Sequence, residues 1–142
     1  ASTRTAASAR RMRLSVFRGR ASYDVARAAG IDRPYAHLHE YVATRSEAVA
    51  PEGVTFTADA LATVRELKQQ PGQGIYLCGG GDLAGALLPE IDRLILKRNP
   101  VVLGSGIRLF GTTGATIQRF RLVGSRAFES GVVIEEYARA IR

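Results

Sequence analysis

The strongest local constraint on this chain is an apolar run that stops at three glycines, Ile75-Tyr76-Leu77-Cys78-Gly79-Gly80-Gly81-Asp82-Leu83. Four apolar residues bounded by turn formers read as a strand covered on both faces. Leu83 to Leu88 reads as a short helix stopped by Pro89. The triplet is then a strand-to-helix turn. Glycine permits positive φ and lets backbone N–H groups come close to a ligand, and a helix N-terminus favours an anion. On local pattern alone two readings stand side by side, a plain tight turn and a phosphate cradle. No Gly-Lys-Ser/Thr follows, so this is not a P-loop. Gly79-x-Gly81 is followed by Ala84, and no acidic residue closes a next strand about 20 residues on, so the dinucleotide fingerprint is incomplete.

Around this turn, strands and helices alternate. Leu14-Ser15-Val16-Phe17 reads as a short strand, and Gly19 to Ala26 as a turn into a helix that Ser22 could cap. Leu38 to Thr44 and Val54-Thr55-Phe56 read as strands. Thr57 or Asp59 caps a helix over about residues 58–70, whose Leu61, Val64 and Leu67 form one buried stripe. Leu94-Ile95-Leu96 reads as a strand that Asn99-Pro100 interrupts and Val101-Val102-Leu103 continues. Ile117 to Val123 and Val132 to Tyr137 read as an antiparallel pair. The expected fold is α/β: a mixed sheet, mostly parallel, with an antiparallel C-terminal hairpin and helices on both faces.

The bulk numbers exclude several classes. The 142 residues fit one domain, and 46% hydrophobic with 23% charged is a globular composition. One cysteine rules out an intrachain disulfide framework and a cysteine zinc cluster. No apolar run approaches a membrane span, and the N-terminus lacks a secretory apolar stretch, so a cytoplasmic protein is expected. The net charge of +7 suggests nucleic acid, but its distribution opposes that partner. Arg4, Arg10, Arg11, Arg13 and Arg18 fall within residues 1–18 with no acid, while the remainder is nearly balanced. Residues 1–13 are expected to be a poorly ordered basic end, and 14–142 the folded domain.

Three strand C-termini carry groups that could meet an anion: Gly19-Arg20 with Ser22, Thr44-Arg45-Ser46, and the glycine triplet. Open α/β sheets bind ligands at that edge. Taken singly, Arg20 and Arg45 read as surface ion-pair partners. His37 and His39 alternate on a strand without a ligand cluster. Glu90 and Asp92 suit capping or solvation, Glu135-Glu136 a half-exposed strand, and Cys78 an inert core thiol. No Ser–His–Asp arrangement is evident.

Taken in order, Gly19-Arg20-Ala21-Ser22-Tyr23, Tyr41 to Ser46, Ile75 to Gly81, Pro89 to Leu94 and Asn99 to Phe110 resemble the dihydrofolate-reductase-like family over residues 14–142. The nearest likeness is to the C-terminal reductase domain of the bifunctional riboflavin-biosynthesis deaminase-reductase and its stand-alone relatives. The resemblance implies NADPH as cofactor and hydride transfer to a small heterocyclic substrate, as in a 5-amino-6-(5-phosphoribosylamino)uracil reductase. It implies that Gly19, Arg20 and Ser22 meet the pyrophosphate, and that Thr44, Arg45 and Ser46 surround the adenosine ribose and its 2′-phosphate. It implies that Gly79, Gly80, Gly81, Asp82 and Leu83 wrap the pyrophosphate and nicotinamide side, with Gly79–Gly80 cis. Relatives pair as homodimers through their late strands, and no metal is implied.

The departure is at the N-terminus. Family members begin with a strand and an Asp-Gly loop over the nicotinamide, then a polar helix. The 18 residues before Gly19 lack that pattern, and Arg18 stands where the family usually has an apolar residue. The expectation is that a central strand and part of the substrate pocket are missing, so no catalytic residue can be assigned. A shifted or truncated start, a strand borrowed from a partner and a non-catalytic remnant of the fold all remain open.

Overall fold

The computed structural model describes residues 14–140 apart from 32, 47 and 115. The expected poorly ordered segment 1–13 lies outside the described residues. The elements run β1 (Ser15–Gly19), α1 (Arg20–Ala28), β2 (His39–Ala43), β3 (Val54–Thr57), α2 (Ala60–Lys68), β4 (Ile75–Leu77), α3 (Gly81–Leu87), a 3-10 turn (Leu88–Glu90), β5 (Arg93–Arg98), β6 (Phe120–Ala127) and β7 (Val133–Arg139). The mixed α/β character holds, and the strands divide into two sheets. One is parallel with order β3-β2-β1-β4, and the other antiparallel with order β5-β7-β6.

Strand alternation assigns the two faces of the parallel sheet. Phe17, Tyr41 and Ala43 point one way and pack with Val64, Leu83 and Leu87 from α2 and α3. Val42 and Val54 point the other way and pack with Tyr23 of α1. Phe17 stacks on Tyr41 with centroids 5.7 Å apart, and Tyr23 meets Phe56 edge-on at 5.8 Å. Helices thus lie on both faces of this sheet. The stripe read in α2 is the buried one: Val64 is in the core, and Leu61 packs against it. Asp59 is the cap, accepting from the Ala62 N–H at 2.9 Å.

Three local expectations are corrected. Ser22 does not cap α1; Gly19 is the N-cap, so Ser22 already lies inside the first turn. β4 is not covered on both faces. It pairs with β1 alone, and Tyr76 is 53% exposed. Val101–Leu103 does not continue β5. Pro100 lacks an N–H, the Val101 N–H turns back to Asn99 O at 2.9 Å, and the segment lies exposed.

Arg18 is explained by a partner. Its Nη1 donates to Glu40 Oε1 at 2.7 Å, with the two side chains only 6% and 1% exposed. Its Nη2 donates to Ser22 O, and Arg18 lies over the Tyr23 ring. Glu40 Oε2, Arg18 Nε and the Tyr23 hydroxyl are buried without hydrogen-bond partners among the described residues. A charge at the end of β1 is therefore tolerated because β2 supplies its counter-charge.

Candidate functional site

Parallel pairing brings the three expected turns to one edge. The register sets Gly19 beside Ala43 and Phe17 beside Leu77, and Cys78 N–H extends the ladder to Phe17 O at 2.8 Å. Thr44-Arg45-Ser46, Gly19-Arg20 and Cys78-Gly79-Gly80 thus leave neighbouring strands β2, β1 and β4 at the same end.

The glycine turn is built by backbone conformation. Gly79 and Gly80 have φ of 92° and 84°, a region that costs other residues strain. The expected cis bond between them is absent: no described peptide is cis, and the two positive φ angles reverse the chain through trans peptides. A Cβ placed on Gly79 would overlap Ser22 Oγ, so Ser22 abuts the turn instead of capping α1. The first-turn amides of α3 have no intrahelical partners and face the same end as the turn.

The remaining candidates divide by what their side chains do. Arg20 Nε donates to both carboxylate oxygens of Asp24, at 2.8 and 2.9 Å, and its guanidinium lies over Phe56, so this cation is already engaged. Thr44 Oγ1 accepts from Ser46 N–H at 3.1 Å and Ser46 Oγ from Ala48 N–H at 3.3 Å, which shapes the loop. Arg45 is exposed and makes no ion pair among the described residues. Leu83 is buried in the core, so only its backbone is available to a ligand. Asp82 Oδ1 accepts from Thr112 N–H at 3.2 Å.

A cavity of about 1720 Å³ runs from the glycine turn between β4 and β5. Phe17, His39 and Tyr41 line one side, Arg93 to Leu96 a second, and Ile107 to Phe110 a third. It is larger than the roughly 300–1,000 Å³ of a typical small-ligand pocket. It lies between two strands that each have one edge unpaired among the described residues, and Ile95 on β5 is 67% exposed. His39 Nε2 is 2.8 Å from Thr55 Oγ1, and burial pushes the Tyr41 phenol above its usual 10.0. The Tyr35 phenol is also raised, first by its hydrogen bond to Cys78 Sγ at 3.4 Å. Both phenols are therefore protonated at neutral pH. Among the described residues no helix could cross a membrane, and no group of three or more His, Cys, Asp or Glu could hold a metal ion.

Sequence reasoning missed the Ile107–Phe110 wall and the Arg139 fastening. Arg139 donates to Ile91 O at 2.7 Å, Gln118 Oε1 at 2.5 Å and Leu88 O at 2.5 Å, tying β7 to the turn after α3. Glu90 and Asp92 are ion-pair partners, Glu90 for Arg65 and Lys68 and Asp92 for Lys68. Glu135 and Glu136 pair with Arg98 and Arg93 across β5–β7.

For the NADP-type cofactor implied by the resemblance, the residues present fit: Gly79 leaves room that a side chain would fill, and Arg45 is an exposed cation with no ion pair among the described residues. Comparison with known proteins gives a consistent picture. Residues 4–134 match the RibD C-terminal domain family. Two Bacillus subtilis (strain 168) proteins are similar. The uncharacterized protein YwjB is 37% identical over 131 residues, covering 89% of this chain and 74% of YwjB. The uncharacterized protein YyaP is 36% identical over 97 residues, covering 66% of this chain and 51% of YyaP. Among solved structures, a putative riboflavin biosynthesis protein from Shewanella sp. PV-4 superposes with a TM-score of 0.74 at 22% identity, covering 91% of this chain and 75% of that one. A Thermotoga maritima diaminohydroxyphosphoribosylaminopyrimidine deaminase/5-amino-6-(5-phosphoribosylamino)uracil reductase superposes with a TM-score of 0.68 at 14% identity, covering 90% and 46%. A family match over nearly the whole length, on a fold that superposes with these structures, leads to one conclusion: the chain belongs to the RibD C-terminal domain family.

Proposed function

We propose that this protein is an NADPH-dependent reductase of the riboflavin-biosynthesis type, acting in the cytoplasm on a small heterocyclic substrate. The observation that carries this reading is the shared edge: three neighbouring parallel strands end in Gly19-Arg20, Thr44-Arg45-Ser46 and the Gly79–Gly81 turn, and the last of these lines a large cavity. When bound, the cofactor supplies the hydride equivalent. The chain's own residues bind and orient. Arg45, the uncommitted cation of the loop after β2, takes the 2′-phosphate. The amides of the glycine turn take the pyrophosphate, with Ser22 beside them. Phe17 and Tyr41 exclude water from one wall of the cavity.

The test is cofactor fluorescence and thermal shift with NADPH, followed by turnover of pterin and ribosylaminopyrimidine substrates. Binding with turnover supports the reading, and absence of any NADPH binding ends it. A second reading, a non-catalytic dinucleotide-binding or oligomerising member of the fold, is favoured by the edges of β4 and β5 that stay unpaired among the described residues. Binding without turnover across both substrate classes would select it. Either reading includes a homodimer through the bare late strands, which solution mass tests.

A further inference from the structure

The wall facing the glycine turn has no regular structure of its own. Ile107 is 92% exposed and Leu109 55%, yet the stretch that follows sits against α3 at very close range. The approach depends on absent side chains. A Cβ on Gly81 would overlap Arg108 O, one on Gly85 would overlap Thr113 Oγ1, and one on Gly111 would overlap Asp82 Oδ1. A single side chain fastens the contact. Asp82 Oδ1 accepts from Thr112 N–H at 3.2 Å and lies 3.5 Å from Thr112 Oγ1. Asp82 comes directly after the Gly79–Gly81 turn, so one residue joins that turn to the segment that follows Ile107–Phe110.

We propose that Asp82 is a positioning residue: its carboxylate latches residues 107–113 onto α3 and sets where Ile107–Phe110 stand across from a bound dinucleotide. The proposal rests on the NADPH reading of the glycine turn, and it changes the role of Asp82 from cofactor contact to loop anchor. A carboxylate facing a pyrophosphate would repel it; turned onto Thr112, it leaves the amides of the turn to the phosphates. Because the latch and the turn are contiguous, ligand at one biases the position of the other, and the coupling runs in both directions.

Arg108 supplies a reporter, since it is exposed and trypsin cleaves after arginine. The experiment follows cleavage at Arg108–Leu109 by mass spectrometry in the full chain, with and without NADPH. The variants are Asp82→Ala, Asp82→Asn and Gly85→Ala. Gly85→Ala acts as a wedge, lifting the loop without changing charge and with a gain in helix propensity. Cleavage at Arg65 within α2 reports global unfolding.

Asp82→Ala and Gly85→Ala should each speed cleavage at Arg108 by roughly fivefold or more without ligand, with Arg65 unaffected. NADPH should protect Arg108 in the wild type and not in these two variants, while its Kd stays within about threefold. Asp82→Asn, whose amide oxygen still accepts from Thr112, should restore most of the protection. Unchanged cleavage in both variants would overturn the latch. So would loss of NADPH binding in Asp82→Ala alone, which would make Asp82 a direct cofactor ligand. Should the wild type bind no NADPH, the functional reading fails, and the unliganded cleavage rates still decide the latch.

Discussion

The two sheets of this protein are held together by different means. Every strand of the parallel sheet contacts at least one helix-borne core residue, and Val16, Phe17 and Val42 have no exposed surface. The antiparallel sheet has no such cover among the described residues. All seven residues of β7, its central strand, are partly exposed, and charged pairs span its ladders. It is attached to the rest by polar contacts, those of Arg139 among them. Burial therefore organises the half that carries the expected cofactor edge, and hydrogen bonding organises the half that closes the cavity.

The largest expected effect tests the buried half. Glu40→Ala leaves Arg18 charged, buried and unpaired, and should cost about 3–5 kcal/mol, read as a lower urea midpoint. Replacing Arg18 and Glu40 together by leucine should recover most of that loss. A loss below about 1 kcal/mol for Glu40→Ala would mean that water reaches the pair and that this sheet is not sealed.

Arg139→Ala should cost about 2–3 kcal/mol by removing hydrogen bonds from a charged donor. Hydrogen exchange should show the loss in β6 and β7 while β1 and β2 keep their protection. Equal loss in both sheets would show that the two halves unfold as one unit and would remove the contrast. On the ligand edge, Arg45→Ala should weaken NADPH binding by about tenfold, roughly 1.4 kcal/mol, with little change for NADH. Equal weakening of both would place Arg45 away from the 2′-phosphate.

The smallest effect is a pH term at the border between the halves. The Arg65 guanidinium, helped by Lys68 and opposed by partial burial, holds the Glu90 carboxyl below its ordinary 4.5. Its contribution is therefore present above pH 4.5 and is lost as pH falls through the lower folded value. The ion pair should contribute at most about 1 kcal/mol. Melting temperatures between about pH 6 and about pH 3 should fall less steeply in Glu90→Gln than in the wild type. Parallel curves would mean that Arg65 and Lys68 contribute nothing measurable there.

The parallel half was largely legible in the sequence. The strand run Leu38–Thr44, the three-residue spacing of Leu61, Val64 and Leu67, and the glycine turn each report their own local geometry. The shared edge followed from topology, because parallel strands must end together. Other features depend on contacts that no local pattern encodes. Arg18 and Glu40 are 22 residues apart and meet only because β1 pairs with β2. Gly85 looks like a weak helix residue until Thr113 is found against it. The cis peptide expected from resemblance is absent, and Gly79 and Gly80 take positive φ angles there. The division into two sheets was unreadable for the same reason as the pairs: it is a property of spacing between strands, not of any one strand.

The Arg139 fastening has a mechanical consequence. No ladder joins β4 to β5, so the width of the cleft is not fixed by the repeat distance of a sheet. It rests instead on the short chain from Leu88 to Asp92, where the Arg139 guanidinium donates to Leu88 O and Ile91 O. Arg65 and Lys68 hold the same stretch through Glu90 and Asp92, so the spacing of the two strands rests on polar contacts that substitutions can remove one at a time.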